Sequence, residues 1–325
     1  MATSTITAPF SYAQTFGTLG HAYLFAAERI ALRLQDSKVL SSLGIISLRG
    51  DVAGLGTDTL RVTDFGGVGF ALPMTELASE TDTVAPSPAS IGYEEVTIGQ
   101  FGLAFQETYK GQVLANEQVK MSISLDALKA RTPDSWEATF RAKVCEVGAA
   151  FTTAVGAAGT TLSVDDALDL ATAYDVNLGN TTPHAFVDGT QINQLKRSFR
   201  GEPAFQNSAA DFAKMLGITD GTQTYMNLGG LGVDYHVTND IEQSGGARQG
   251  FAFPAGGIGW AVANTLPIRP ANPAGAIYVP AFGLFIEEIP TGGNQTIRMA
   301  RATALFGVAA GSDRVYTKRR IISVV

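Results

Sequence analysis

At 325 residues, with 45% hydrophobic and 16% charged side chains, the chain is long enough for a substantial core in two domains, and its surface is unusually poor in charge. A formal net charge of −7 argues against broad nucleic-acid binding, which needs clustered Lys and Arg to displace counterions. The 36 glycines favour strands and turns over a helical bundle, and Cys145, the only cysteine, excludes an intrachain disulfide and points to a cytosolic folding environment.

The first charged side chain is Glu28, so residues 1–27 lack the basic start of a secretory signal. Apolar runs such as residues 23–27 fall far short of the ~20 residues a membrane crossing needs. This beginning reads as an uncharged, extended arm of a soluble protein. In that setting the Asn-x-Thr triplets at Asn180 and Asn294 are chance matches.

A helix is expected over residues 21–43, with Tyr23, Ala27, Ile30 and Leu34 on one face and Glu28, Arg29, Arg33 and Asp36 mostly elsewhere. Gly44 ends it. Residues 44–109 are patterned for strands and contain no lysine; Lys38 and Lys110 flank them. Their apolar residues come in short alternating sets, Ile46, Leu48 and Val52, then Leu60 and Val62. A two-stranded arm of this kind is only marginally stable alone in water, so it must lie on another surface, which points to an assembly subunit. Its tip is expected among Gly54, Gly56 and the glycine-rich run at 66–69, and its return through Pro86-Ser87-Pro88. Residues 93–108 read as one long strand. Phe101, Leu103 and Phe105 fall on one side and Val96 and Ile98 on the other, as in a strand that passes from one environment into another.

Residues 112–131 read as a helix, and Thr132-Pro133 as the start of a second, with a capping hydroxyl and a proline at the first helical position. Trp136, Phe140, Val144, Val147, Phe151 and Val155 then form one stripe along ~36 Å, and Glu137 and Arg141 form an i,i+4 pair. Cys145, beside that stripe, reads as a buried inert thiol. A second unit opens at Ser163 and Asp166, which have capping-box spacing, with Asp165 at the positive end of the helix. A short strand at 184–187 turns at Asp188-Gly189 into a helix with Ile192, Leu195 and Phe199 inward and Lys196, Arg197 and Arg200 outward. Residues 254–280, rich in Gly, Ala and Pro, read as loops and a crossing back to the first unit. Strands over 277–289, 296–308 and 315–325 finish the chain.

The search for chemistry yields no enzyme. No Gly-Lys dipeptide, Gly-x-Ser-x-Gly elbow or His-Glu-x-x-His motif occurs. Gly230-Leu231-Gly232 reads as a tight turn. His21, His184 and His236 are far apart, and a metal site would require the fold to gather them and add a ligand. Asp165, Asp166 and Asp169 are explained by a helix start. Glu94-Glu95 and Glu287-Glu288 lie on strands, where neighbours point to opposite faces, so they are not paired acid/base carboxylates. Lys318-Arg319-Arg320 splits across two strand faces, where contacts to acidic neighbours are expected. No catalytic, cofactor-binding or metal residue is assigned.

The order of parts is distinctive, and two local runs fit it: Ala78-Ser79-Glu80-Thr81-Asp82-Thr83 before Gly92-Tyr93-Glu94-Glu95-Val96, and Leu305-Phe306-Gly307-Val308-Ala309 followed by Arg314-Val315-Tyr316. With these, nearly the whole chain resembles the major capsid protein of tailed bacteriophages, the Hong Kong 97-like fold that encapsulin shells share. The resemblance implies an α+β fold. Residues 1–43 would be the N-terminal arm and first helix, and 44–92 an extended β loop. Residues 93–159 and 281–325 would form a peripheral domain with a long spine helix, and 160–280 an axial domain. It also implies hexamers and pentamers of the chain forming an icosahedral virion shell around double-stranded DNA, assembled in the host cytoplasm with no membrane. The first helix starts near His21, which implies a separate scaffolding protein; a portal is a further partner, and decoration proteins are admitted. Shells welded by lysine–asparagine bonds need a loop lysine, and none exists here, so the shell is expected to be noncovalent. Arg49, Asp51, Arg61, Asp64 and Glu76 are the subunit-contact candidates. The rival readings are an encapsulin-like compartment around an enzyme cargo and a monomeric hydrolase or binding protein.

Overall fold

Ala26, Ala27, Ile30, Ala31 and Leu34 bury one face of helix α1 (Thr18–Gln35), while Glu28, Arg29 and Arg33 stay exposed. The computed structural model of the chain describes residues 11–12, 18–35, 46–51, 58–65, 91–108, 123–178, 183–201, 225–227, 233–263, 276–291, 297–311 and 317–325. The arm before residue 11, the loop tip, and the expected helical stretches at 36–43 and 112–122 lie outside the described residues.

The two helices expected on either side of Thr132 are one. Helix α2 (Ile123–Ala149) runs straight through Pro133. Leu128, Thr132, Trp136, Phe140 and Val144, each four residues from the last, are all buried along it. Proline removes one backbone hydrogen bond and costs a helix interior ~3 kcal/mol, yet burial of a Trp, a Phe, a Leu and a Val on one line outweighs that loss. Thr132 is therefore no cap: its Oγ1 is buried without a hydrogen-bond partner. The helix also ends earlier than the stripe does. Phe151 is buried beyond the helix end, and Val155 belongs to the short strand β6 (Ala154–Gly156).

Two sheets flank α2. In the first, the order is β1 (Ser11–Tyr12), β13 (Ala276–Val279), β14 (Leu284–Thr291), β15 (Ile297–Ala310), β12 (Ile258–Val262), β2 (Ile46–Asp51). Strand β5 (Gly99–Thr108) pairs with β15 over the same residues that β14 uses, so β15 is flanked on both sides. Trp136 packs against Phe140, Trp260, Phe282 and Phe306 at ring-centroid distances of 5.2, 6.0, 5.7 and 5.2 Å, and its indole donates to the Phe282 carbonyl at 3.3 Å. The second sheet runs β6, β16 (Arg319–Val324), β11 (Ala247–Pro254), β7 (Pro183–Val187), β9 (Asp234–Val237), β8 (Tyr225–Asn227), with β10 (Glu242–Ser244) also on β11. Helices α3 (Val164–Leu178) and α4 (Gly189–Gly201) cover it through Leu170, Tyr174, Ile192, Leu195 and Phe199. The capping box forms as read: the Ser163 N–H donates to Asp166 at 2.8 Å, and the Asp166 N–H donates to Ser163 Oγ at 3.2 Å.

Strand β11 joins the two cores. Phe251 and Phe253 lie in the α2 core, while Ala252 between them lies in the α3–α4 core. Two expectations need correction here. The stretch 254–280 is not only loop, because β12 is buried along its whole length and pairs with β15 and β2. A strand covered on both faces shows no polar alternation, and small residues (Gly259, Ala261) hid it further. The last strand, β16, joins the second sheet rather than the first. The chain thus crosses between sheets near 254–258, and again between 311 and 319.

Gly148 marks the closest approach of α2 to β11: a Cβ there would overlap the Phe251 ring. Gly148→Ala should lower stability by about 1–3 kcal/mol in chemical denaturation, and Phe251→Leu in the same chain should recover part of that loss.

Candidate functional site

In and just after the stretch 44–92 expected as an extended loop, β3 (Thr59–Phe65) pairs antiparallel with β4 (Ile91–Thr97). The single strand expected over 93–108 breaks at Ile98. Its first half joins the loop hairpin and its second half the first sheet, so the change of environment holds. On β4, Glu94 and Val96 are buried while Tyr93, Glu95 and Thr97 are exposed.

The root of the loop is held by charge. Strand β2 runs parallel to β12, with Leu48 opposite Trp260 and Gly50 opposite Ala261, so Arg49 is the extra residue of a bulge. Gly50, at φ 147°, supplies the backbone conformation. The bulge aims Arg49 at Glu94: Arg49 Nε donates to Glu94 Oε2 at 3.0 Å, and Nη2 donates to the Gly256 carbonyl at 2.6 Å. The side chains of Arg49 and Glu94 are 13% and 0% exposed. Gly259 leaves room for the pair, since a Cβ there would overlap both partners. Strand β2, strand β4 and the turn that leads into β12 are thereby fastened at one point.

The opposite face of the hairpin is open. Arg61 pairs with Glu95 directly across β3 and β4 and lies 4.6 Å over the Tyr93 ring, with side-chain exposures of 63% for Arg61 and 45% for Glu95. Glu94 and Glu95 therefore serve opposite faces, as strand geometry requires. Glu287 likewise is buried against Arg301. Of the five contact candidates, Arg49 is taken up within its own chain and Arg61 is exposed. Asp51 ends β2, Asp64 sits in β3 opposite Gly92, and Glu76 lies outside the described residues.

Cys145 is buried, and burial pushes its thiol up to about 12. From the basic run, Lys318 donates to Gly311 O at 2.6 Å, and Arg320 to Ala149 O at 3.4 Å, the last residue of α2, where cations are favoured. Gly230-Leu231-Gly232 lies outside the described residues. Two of the three histidines, distant in sequence, do meet, with His184 Nδ1 and His236 Nε2 3.2 Å apart. Parallel pairing of β7 with β9 brings them together, and no local signal announced it. Among the described residues no group of three or more His, Cys, Asp or Glu is arranged to hold a metal ion, and no helix is long and apolar enough to cross a membrane.

No protein-family description and no curated protein matches the chain. Solved structures match it in fold. The capsid of Helicobacter pylori bacteriophage KHP30 aligns at 10% identity and TM-score 0.56, over 87% of this chain and 90% of that one. The capsid of cyanophage P-SCSP1u aligns at 11% identity and TM-score 0.52, over 85% and 86%. The SrpI encapsulin of Synechococcus elongatus aligns at 11% identity and TM-score 0.52, over 87% and 86%. The chain has the α+β Hong Kong 97-like fold.

Removing one partner of a buried pair leaves the other charge uncompensated. Glu94→Gln should cost about 3 kcal/mol or more in denaturant unfolding. Arg61→Ala, on the exposed pair, should leave the unfolding midpoint close to that of the native chain. Equal losses would contradict the distinction between root and open face.

Proposed function

We propose that this chain is the structural, non-catalytic subunit of an icosahedral virion shell, assembling as hexamers and pentamers around packaged double-stranded DNA. The observation that carries the reading is end-to-end agreement of fold with capsids and an encapsulin, over at least 85% of this chain and 86% of each of those chains. Shell building needs a rigid body and reaching parts. Two sheets locked on α2 supply the body. The hairpin supplies reach, because a two-stranded ribbon gains stability only by lying on another surface.

In this reading the first sheet with α2 is the peripheral domain and the second sheet with α3 and α4 the axial domain. The extended loop of residues 44–92 lies across a neighbouring copy. Arg61, with Asp51, Asp64 and Glu76, meets that neighbour; Arg49 sets the angle at which the loop leaves. A net charge of −7 suits a container that encloses DNA without gripping it. A scaffolding protein and a portal are the further partners, and assembly takes place in the host cytoplasm.

Expressed alone or with its neighbouring gene products, the chain should give closed particles by electron microscopy. A 34.1 kDa monomer under all conditions would overturn the reading. Particles from the native source should protect DNA from nuclease; particles filled with an enzyme and no DNA would favour the encapsulin-like alternative. With no lysine between residues 44 and 109, boiled particles should run as a single band on a denaturing gel, and ladders of linked subunits would refute a noncovalent shell.

A further inference from the structure

One face of the second sheet carries His184, Phe186, His236, Phe251 and Phe253. Phe186 stacks on Phe251 and Phe253 at 5.2 and 5.6 Å, and His236 stacks on Phe186 at 4.9 Å. The two imidazoles sit at the end of this aromatic row, His236 buried and His184 nearly so, joined by a 3.2 Å contact between His184 Nδ1 and His236 Nε2. At that distance one ring nitrogen must donate and the other accept.

We propose that His184 and His236 form an acid-sensitive latch between β7 and β9, closed while the pair shares one N–H···N bond and opened when both rings are protonated. A first proton, taken from solvent on an outward ring nitrogen, leaves the shared bond intact. A second turns both facing nitrogens into donors and sets two positive rings against each other. Strand β9 reaches the rest of the sheet through β7, and β8 through β9, so opening the latch frees that edge. Among the described residues, Asp234, Phe253 and Tyr225 stand next to the pair. Asp234 Oδ2 lies 3.7 Å from His184 Nδ1 and favours the first proton. From β11, Phe253 stands opposite His184 in register, and from β8, Tyr225 stands opposite His236.

Burial lowers the affinity of His184 for a proton and, with the charge of His184, lowers His236 to about 4. Unfolded histidines titrate near 6.5, so the folded chain binds fewer protons between those values. The stability that the neutral pair contributes is whole above about pH 6.5 and drains away as pH falls toward about 4.

Hydrogen exchange on the full chain at about pH 7 and about pH 4.5, corrected for chemical exchange rates, tests this. Residues 225–227 and 234–237 should lose about fiftyfold in protection at the lower pH, with β12 and β15 unchanged. The double variant H184N/H236Q, which keeps polar shape without the charge, should lose less than about threefold. Equal protection of the native edge at both pH values would overturn the latch, as would a variant that loosens as much as the native chain. Should the variant not fold, histidine titration in the native protein decides: both rings titrating together near 6.5 refute it, and two separated steps below that value support it.

Discussion

Helix α2 buries Leu128, Trp136, Phe140 and Val144 in a single line, and both sheets assemble against that line. Trp136 alone packs on rings from α2, β12, β15 and the turn at Pro280–Phe282, while Gly148 lets β11 press its Phe251 directly onto the helix. Because β11 turns alternate side chains into the two cores, anything that shifts α2 shifts both sheets together. The stripe is strong enough to carry a helix through a proline, and that is the measure of its weight against local preference.

A body built this way can hold a reaching element steady. The Arg49–Glu94 pair does so at the loop root, where a bulge in β2 turns one arginine inward against a glutamate of the returning strand. Buried ion pairs contribute little net stability once desolvation is counted, but they are exacting about geometry. This one fixes where the loop departs, and leaves the Arg61, Tyr93 and Glu95 face open for contact. The histidine pair lies at the far edge of the other sheet, outside the α2 stripe, which is where a conformational device can act without unmaking the body.

Much of this was legible in the sequence. The α1 face, the Ser163–Asp166 box and the inward face of α4 follow local periodicity and capping, and the switch near Ile98 showed as a change in which side was apolar. What stayed hidden was set by distant parts of the chain. Thr132-Pro133 reads as a helix start by every local rule, and only the line from Leu128 to Val144 overrides it. Strand β12 is buried on both faces and rich in small residues, so it offers no alternation. Arg49 and Glu94 stand 45 residues apart on strands of different sheets, and His184 and His236 stand 52 apart on two strands that pair; only the fold brings each pair together.

In the proposed shell, a loop rooted in its own subunit by Arg49 and Glu94 clasps the next copy. A cryo-electron map of assembled particles tests it most directly. It should show the Arg61, Tyr93 and Glu95 face covered by a neighbouring copy while the Arg49–Glu94 pair stays intact within each subunit. A map in which that face is open to solvent, or folded back on its own subunit, would contradict the account.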